Sequence, residues 1–177
     1  MSKFTGTRGS KWELADYAVE YAYFYGFAVF PCKPRSKLPA TKHGFKDATK
    51  SRSQIVKWWS QCPEYNIGIA TGVVSGLYVI DVDPRNGGKI SDVRDVPGSW
   101  PIITGGGGWH LYCPLPKNML IRSKSNWLPG IDMKAEGGYV IAPPSIHPSG
   151  ERYDFKDAWA VPDMWGNGVT VQEAASW

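Results

Sequence analysis

The sequence predicts a mixed α/β (α+β) fold, a single domain built as two lobes, on three observations. Two apolar stretches near the N-terminus recur at helical spacing, and short apolar runs punctuated by glycine and proline follow them. The third is composition: 42% hydrophobic against 20% charged residues is an ordinary globular balance, and 177 residues suffice to bury a sizeable core without staples.

Taken in order, Ser10 with Glu13 forms a capping-box pattern, and Leu14, Ala15, Ala18, Tyr21, Ala22 and Tyr25 repeat at helical spacing up to Gly26. A first helix is therefore expected over residues 11–25. Phe27 to Phe30 reads as a short buried strand, after which Pro31, Pro34 and Pro39 break up a loop carrying Lys33, Arg35, Lys37, Lys42 and Lys46. Ser51 with Gln54 repeats the capping pattern ahead of Ile55, Val56, Trp58 and Trp59, and Pro63 lies just past this second helix. Residues 66–70 and 77–83 read as strands separated by a hairpin-length link, and Pro84-Arg85-Asn86-Gly87-Gly88 turns the chain. Residues 89–98 leave room for a short helix only, and further strands are expected over 109–113, 131–134 and 139–142. This divides the chain into an N-terminal α/β lobe at about 1–76, a mainly sheet lobe at 77–155, and a tail at 156–177 expected to lead into further domains of a longer protein.

No window approaches the roughly 18–20 apolar residues of a spanning helix, and the first residues lack a signal-peptide core, so a soluble, cytoplasmic protein with no membrane partner is expected. The three cysteines include no CxxC pair, and Cys32, His43 and Cys62 match no compact zinc spacing. A formal charge of +4 is compatible with a polyanionic partner, and among nine tryptophans and nine tyrosines some can stack on bases while most belong to a core.

Side chains alternate along a strand, so Leu77, Val79, Asp81 and Asp83 share a face. Two carboxylates about 7 Å apart repel unless a cation stands beside them, which suits a hard divalent ion such as Mg²⁺ or Mn²⁺. The same pair also reads as a strand end capping the turn at Pro84. From Thr104 a glycine run through Gly107 and Gly108 enters a strand with His110, a pattern that either cradles phosphate oxygens on backbone amides or is a plain hairpin beside a structural histidine. Asp132 and Lys134 share a strand face, as a third metal carboxylate with a phosphate-neutralising cation or as a solvated ion pair. Two ions bridged by aspartates can activate an attacking 3′ hydroxyl and stabilise a leaving pyrophosphate. Ser145 and His147 follow Pro143-Pro144 in a rigid loop and are candidates to touch sugar or phosphate, as is Lys37 between Ser36 and Pro39.

In this order the pieces resemble the prim-pol (bifunctional DNA primase/polymerase) domain of the archaeo-eukaryotic primase superfamily, in its phage, plasmid and mobile-element branch. Asp81-Val82-Asp83 looks like the first acidic motif, Gly108-Trp109-His110 like the small-x-His second motif, and Asp132 like the lone acidic third motif. Flanks such as Gly26-Phe27-Ala28-Val29-Phe30-Pro31, Lys37-Leu38-Pro39, Trp58-Trp59 and Gly137 to Ser145 extend the likeness over roughly residues 12–155. Two departures stand out: residues 88–101 are short for the family's crossover helix, and Gly108 occupies a position where many relatives carry serine.

The resemblance implies a two-lobed primase catalytic core with an RRM-like mixed sheet. It implies template-directed nucleotidyl transfer, as DNA polymerase, primase or both, in phage, plasmid or mobile-element replication. Asp81, Asp83 and Asp132 would hold Mg²⁺ or Mn²⁺, His110 would grip the phosphates, and Lys134 and Lys37 would assist. Expected partners are a single-stranded DNA template or primer-template, dNTP or NTP, and a helicase domain in the same or another chain, in the cytoplasm of a bacterial or phage-infected cell. The alternatives are a non-catalytic single-stranded nucleic-acid-binding module of a helicase-primase and a metal-dependent nuclease.

Overall fold

The computed structural model describes residues 13–93, 96 and 98–156. Helix α1 (Leu14–Tyr23) starts at Glu13, whose side chain and that of Asp16 cap one another's backbone amides. Glu13 thus supplies the cap, one turn later than the Ser10 pattern suggests, and Ser10 itself lies outside the described residues. Helix α2 (Arg52–Gln61) is anchored by Ile55 and Trp59, both buried. Burying the Ile55 side chain alone stabilises by about 1.5–3 kcal/mol. Ser51 is the N-cap residue, but its hydroxyl bonds the Ser53 hydroxyl at 3.0 Å, so the expected capping box with Gln54 does not form.

A three-stranded sheet is built from β1 (Ala28–Cys32), β2 (Asn66–Ala70) and β8 (Tyr139–Ala142), in the order β1-β2-β8. Its first strand runs on through Pro31, which an edge strand tolerates because its outer side needs no ladder donor. Gly68 is required here: a Cβ would stand 2.5–2.8 Å from the Phe30 ring that crosses it. The second sheet is six-stranded, in the order β6-β7-β3-β5-β4-β9. Its strands are β3 (Leu77–Val82), β4 (Trp100–Ile103), β5 (Trp109–Pro114), β6 (Lys124–Leu128), β7 (Ile131–Lys134) and β9 (Asp154–Phe155). Every strand pairing described is antiparallel, so the fold is α+β as expected while the sheet is not mixed.

Residues 71–76 do not close a hairpin between β2 and β3. A tight turn there carries the chain from one sheet to the other, held by the Ser75 hydroxyl, which donates to the Ala70 carbonyl and accepts from the Ala28 amide. Strand β8 likewise returns from the second half of the sequence to pair with β2, so the sheet nearest the N-terminus is completed by residues 139–142. Between residues 89 and 93 the chain forms a single 3-10 turn, Ile90–Asp92. The tail from residue 157 lies outside the described residues.

Alternation gives the six-stranded sheet two differently used faces. Leu77, Val79, Trp100, Ile102 and Tyr112 pack with α1, α2 and the small sheet in the main core. Ile80, Val82, Leu111, Cys113 and Ile131 form a second core with Val93 on the other side. Following the first face along β3, the apolar positions Leu77 and Val79 give way to Asp81. No helix of the described residues is long and apolar enough to cross a membrane.

Candidate active site

Three side chains from three adjacent strands stand in one row. Asp81 on β3 is in register with His110 on β5 and with Asp132 on β7, and residues opposite one another in a ladder point to the same face. His110 Nε2 lies 3.5 Å from Asp81 Oδ1, with the His110 side chain 6% and the Asp81 side chain 26% exposed. Burial pushes the imidazole down to about 4, against the pull of Asp81 and with the help of Lys37 and Lys134, so the ring is neutral at ordinary pH.

Asp83 lies just beyond the end of β3 and caps the Pro84–Asn86 turn. Its Oδ1 accepts from the Arg85 amide and from Arg85 Nε, and its Oδ2 from Arg85 and Asn86 side-chain nitrogens, all at 3.0 Å. The Arg85 hydrogen bonds hold this carboxyl below the usual range. Asp132 accepts from Lys134 Nζ at 2.7 Å and from the Asn126 amide at 2.8 Å. Its partial burial pushes its pKa up, but the Lys134 and Asn126 hydrogen bonds outweigh this and leave it lowered. The donor chemistry of three carboxylates suits a hard divalent cation. The arrangement departs from the expected metal set, because Asp83 and Asp132 are turned onto basic and amide partners. Among the described residues no group of three or more His, Cys, Asp or Glu stands in ligating geometry.

The Thr104–Gly108 turn joins β4 to β5. The Gly107 amide donates to the Thr104 carbonyl and the Gly108 amide to the Thr104 hydroxyl, so these two donors close the turn and do not face an anion. Gly108 is held against the β3 strand end: a Cβ would run into the Val82 carbonyl. A Cβ on Gly106 would lie 3.3 Å from His147 Nε2 and 3.6 Å from Arg85 Cζ, which places an imidazole and a guanidinium beside the tip of the turn. His147 Nδ1 lies 3.1 Å from the Ser149 amide and 2.9 Å from the Ser149 hydroxyl, which turns the other ring nitrogen, Nε2, to that tip. Burial and then the charges of Lys37 and Arg85 keep His147 below its ordinary pKa.

Lys37 is exposed and its backbone carbonyl accepts from the Tyr139 hydroxyl, while its charge is felt by Asp83, His110 and His147. Ser145, in contrast, is fully buried and its hydroxyl accepts from the Ile67 amide, so it braces β2 and does not reach the cleft.

A sequence model described as bifunctional DNA primase/polymerase, N-terminal (Prim-Pol) matches residues 18–175. The chain belongs to the Prim-Pol family. No curated protein showed a match to it. The class of activity that goes with a Prim-Pol domain is DNA primase/polymerase-type nucleotidyl transfer. Two residues beside this row of the Prim-Pol domain were not singled out by the sequence. Arg85 was read only as part of a turn, although a cation two residues past an Asp-x-Asp pair is placed to bond it. Tyr153, whose ring packs 5.9 Å from His110 and 5.7 Å from His147, sits in no motif and gave no signal.

Proposed function

We propose that this domain extends or initiates DNA strands on a single-stranded template from dNTP or NTP, within the replication of a phage, plasmid or other mobile element. The observation that carries the reading is the Asp132–Asp81–His110 row, which presents two carboxylates and an imidazole donor from a rigid sheet. Asp81, Asp83 and Asp132 would hold Mg²⁺ or Mn²⁺, with Lys134 and Arg85 turning from carboxylate to phosphate as nucleotide binds. Such an ion supplies charge stabilisation to the attacking and leaving oxygens of phosphoryl transfer.

The chain's own groups do the rest. His110 donates from Nε2 to a triphosphate oxygen, and its neutral state keeps it a directed hydrogen-bond donor. Arg85, Lys37 and Lys134 offset the phosphate charge around the tip of the Thr104–Gly108 turn, where His147 Nε2 also lies. Residues 116–131 contain Lys117, Arg122 and Lys124 and no acid, and they lie mostly exposed on and before edge strand β6, beside the strand of Asp132, with Trp127 36% exposed. This is the side on which a template backbone is matched in charge.

The test is primer extension and dinucleotide synthesis on single-stranded DNA with the eight nucleotides and each metal separately. Asp81→Ala is expected to abolish both, and full activity in that variant would overturn the assignment. A second reading, a non-catalytic nucleic-acid-binding module, is favoured by the engagement of Asp83 and Asp132 with Arg85 and Lys134. It predicts DNA binding with no product for the unmodified chain under any metal. Strand cutting without nucleotides would instead reveal a nuclease.

A further inference from the structure

Four buried polar atoms have no hydrogen-bond partner among the described residues, Trp100 Nε1, His110 Nδ1, Tyr112 Oη and Tyr153 Oη, and the last three belong to His110 and the two rings packed against it. His110, Tyr112 and Tyr153 are nearly closed to solvent, at 5%, 0% and 1% exposure. They are also neighbours, since the His110 ring lies 6.3 Å from the Tyr112 ring and 5.9 Å from the Tyr153 ring, centre to centre. Leaving three such groups unsatisfied is costly, and native interiors resolve such clusters with a buried water that makes about three hydrogen bonds.

The donor count fits one water. His110 Nε2 stands 3.5 Å from Asp81 Oδ1, so the tautomer with its proton on Nε2 faces an acceptor oxygen and leaves Nδ1 to accept. Both phenols are donors. Burial, and for each the nearby Asp81 charge, pushes their pKa values well up, so both keep their protons. A water that accepts from the two hydroxyls and donates to Nδ1 satisfies all three groups at once.

We propose that Tyr112 and Tyr153 are positioning residues for His110, joined to its Nδ1 through one buried water that fixes the ring tautomer and presents Nε2–H to the cleft. The tautomer follows from the chain alone, whereas its consequence for nucleotide rests on the function proposed above. Second-shell hydrogen bonds of this kind set which nitrogen of a working histidine carries the proton.

The experiment is nitrogen NMR of the ¹⁵N-histidine-labelled chain, which has only three histidines to assign, in the unmodified protein, Tyr112→Phe, Tyr153→Phe and the double variant. The unmodified protein is expected to show His110 with a protonated Nε2 and an accepting Nδ1. The double variant should show a mixture of tautomers and a nucleotide KM raised by about tenfold with kcat changed less, the scale of one lost hydrogen bond. Tyr21→Phe is the structural control: the Tyr21 hydroxyl is buried in the same core but donates to the Pro143 carbonyl at 2.9 Å, so its loss should leave the His110 signals unmoved. A protonated Nδ1 in the unmodified protein, or identical His110 signals in the double variant, would overturn the proposal. Should the chain fail to turn over nucleotide, the proposed function falls while the tautomer result still decides this inference.

Discussion

Glu20 offers a test of the packing of α1 that can be worked through in numbers. Its carboxyl is partly buried, makes no ion pair with any described residue, and burial raises its pKa from 4.5 to about 7. Its charge is felt by Tyr17, Tyr21 and Tyr25, all acids themselves, so among the described residues no cation offsets the cost of ionising it. Between pH 4.5 and 7 the folded chain therefore binds more protons at this site than the unfolded chain does, and stability must fall as pH rises through that window. Moving the carboxyl from 4.5 to about 7 corresponds to roughly 3 kcal/mol, and to about 2 kcal/mol after allowing for the part of the group that water reaches. Glu20→Gln removes the ionisation and should flatten this part of the pH profile. At pH 8 the variant should be more stable by about 2 kcal/mol, a Tm rise of roughly 4–8 °C for a domain of this size. Urea unfolding of both proteins at pH 5 and pH 8 measures it. An unchanged pH slope in the variant, or a loss of stability at pH 8, would refute the desolvation argument.

Ser145→Ala should cost about 1–3 kcal/mol in urea unfolding, because the Ile67 amide is left without its acceptor in the core. Nucleotide binding by that variant should match the unmodified protein, in contrast to the sequence-based expectation of a sugar or phosphate contact. Arg85→Gln separates two roles of one side chain. Freed of the guanidinium, the Asp83 carboxyl should return towards its ordinary pKa, and the half-saturating Mn²⁺ concentration should fall roughly threefold while the nucleotide Kd rises by a similar factor. Parallel titrations with metal and with nucleotide check this, and movement of both constants in one direction would count against it.

The parts of this fold that were legible are those where burial imposes a period. The alternation of Leu77, Val79 and Asp81 against Ile80 and Val82 is readable because one core lies on each side of β3. Strand β6, Lys-Ser-Asn-Trp-Leu, was invisible because it is an exposed edge with a bulge between Lys124 and Leu128, so no face of it needs to be apolar. Strand β4 was hidden by Pro101. The crossing at residues 71–76 was not legible because strand spacing along the chain does not say which sheet each strand joins, and the ties that hold it include the Ser75 and Thr71 hydroxyls, which bond backbone distant in sequence or across the turn. For the candidate site, residue types at motif spacing pointed to Asp81, His110 and Asp132, which the strand register brings into one row. Hydrogen-bond partners remained out of reach: the turn-capping alternative for Asp83 was legible but its bonds to Arg85 were not, and neither was the part Ser145 plays as a strut.

The row across β7, β3 and β5 also determines which changes this site can absorb. Its spacing is set by the distance between paired strands, about 4.8 Å per step, and the loops that connect them have no part in it. Insertions or deletions in the segments between β3 and β5, or between β5 and β7, can therefore lengthen or shorten those connections without separating Asp81 from His110 or Asp132. A single residue lost inside β5 does the reverse: it slips the ladder by one, turns His110 into the second core and brings Trp109 or Leu111 to the cleft in its place. Over time the connections of such a domain are free to diverge, while the lengths of three short strands are not.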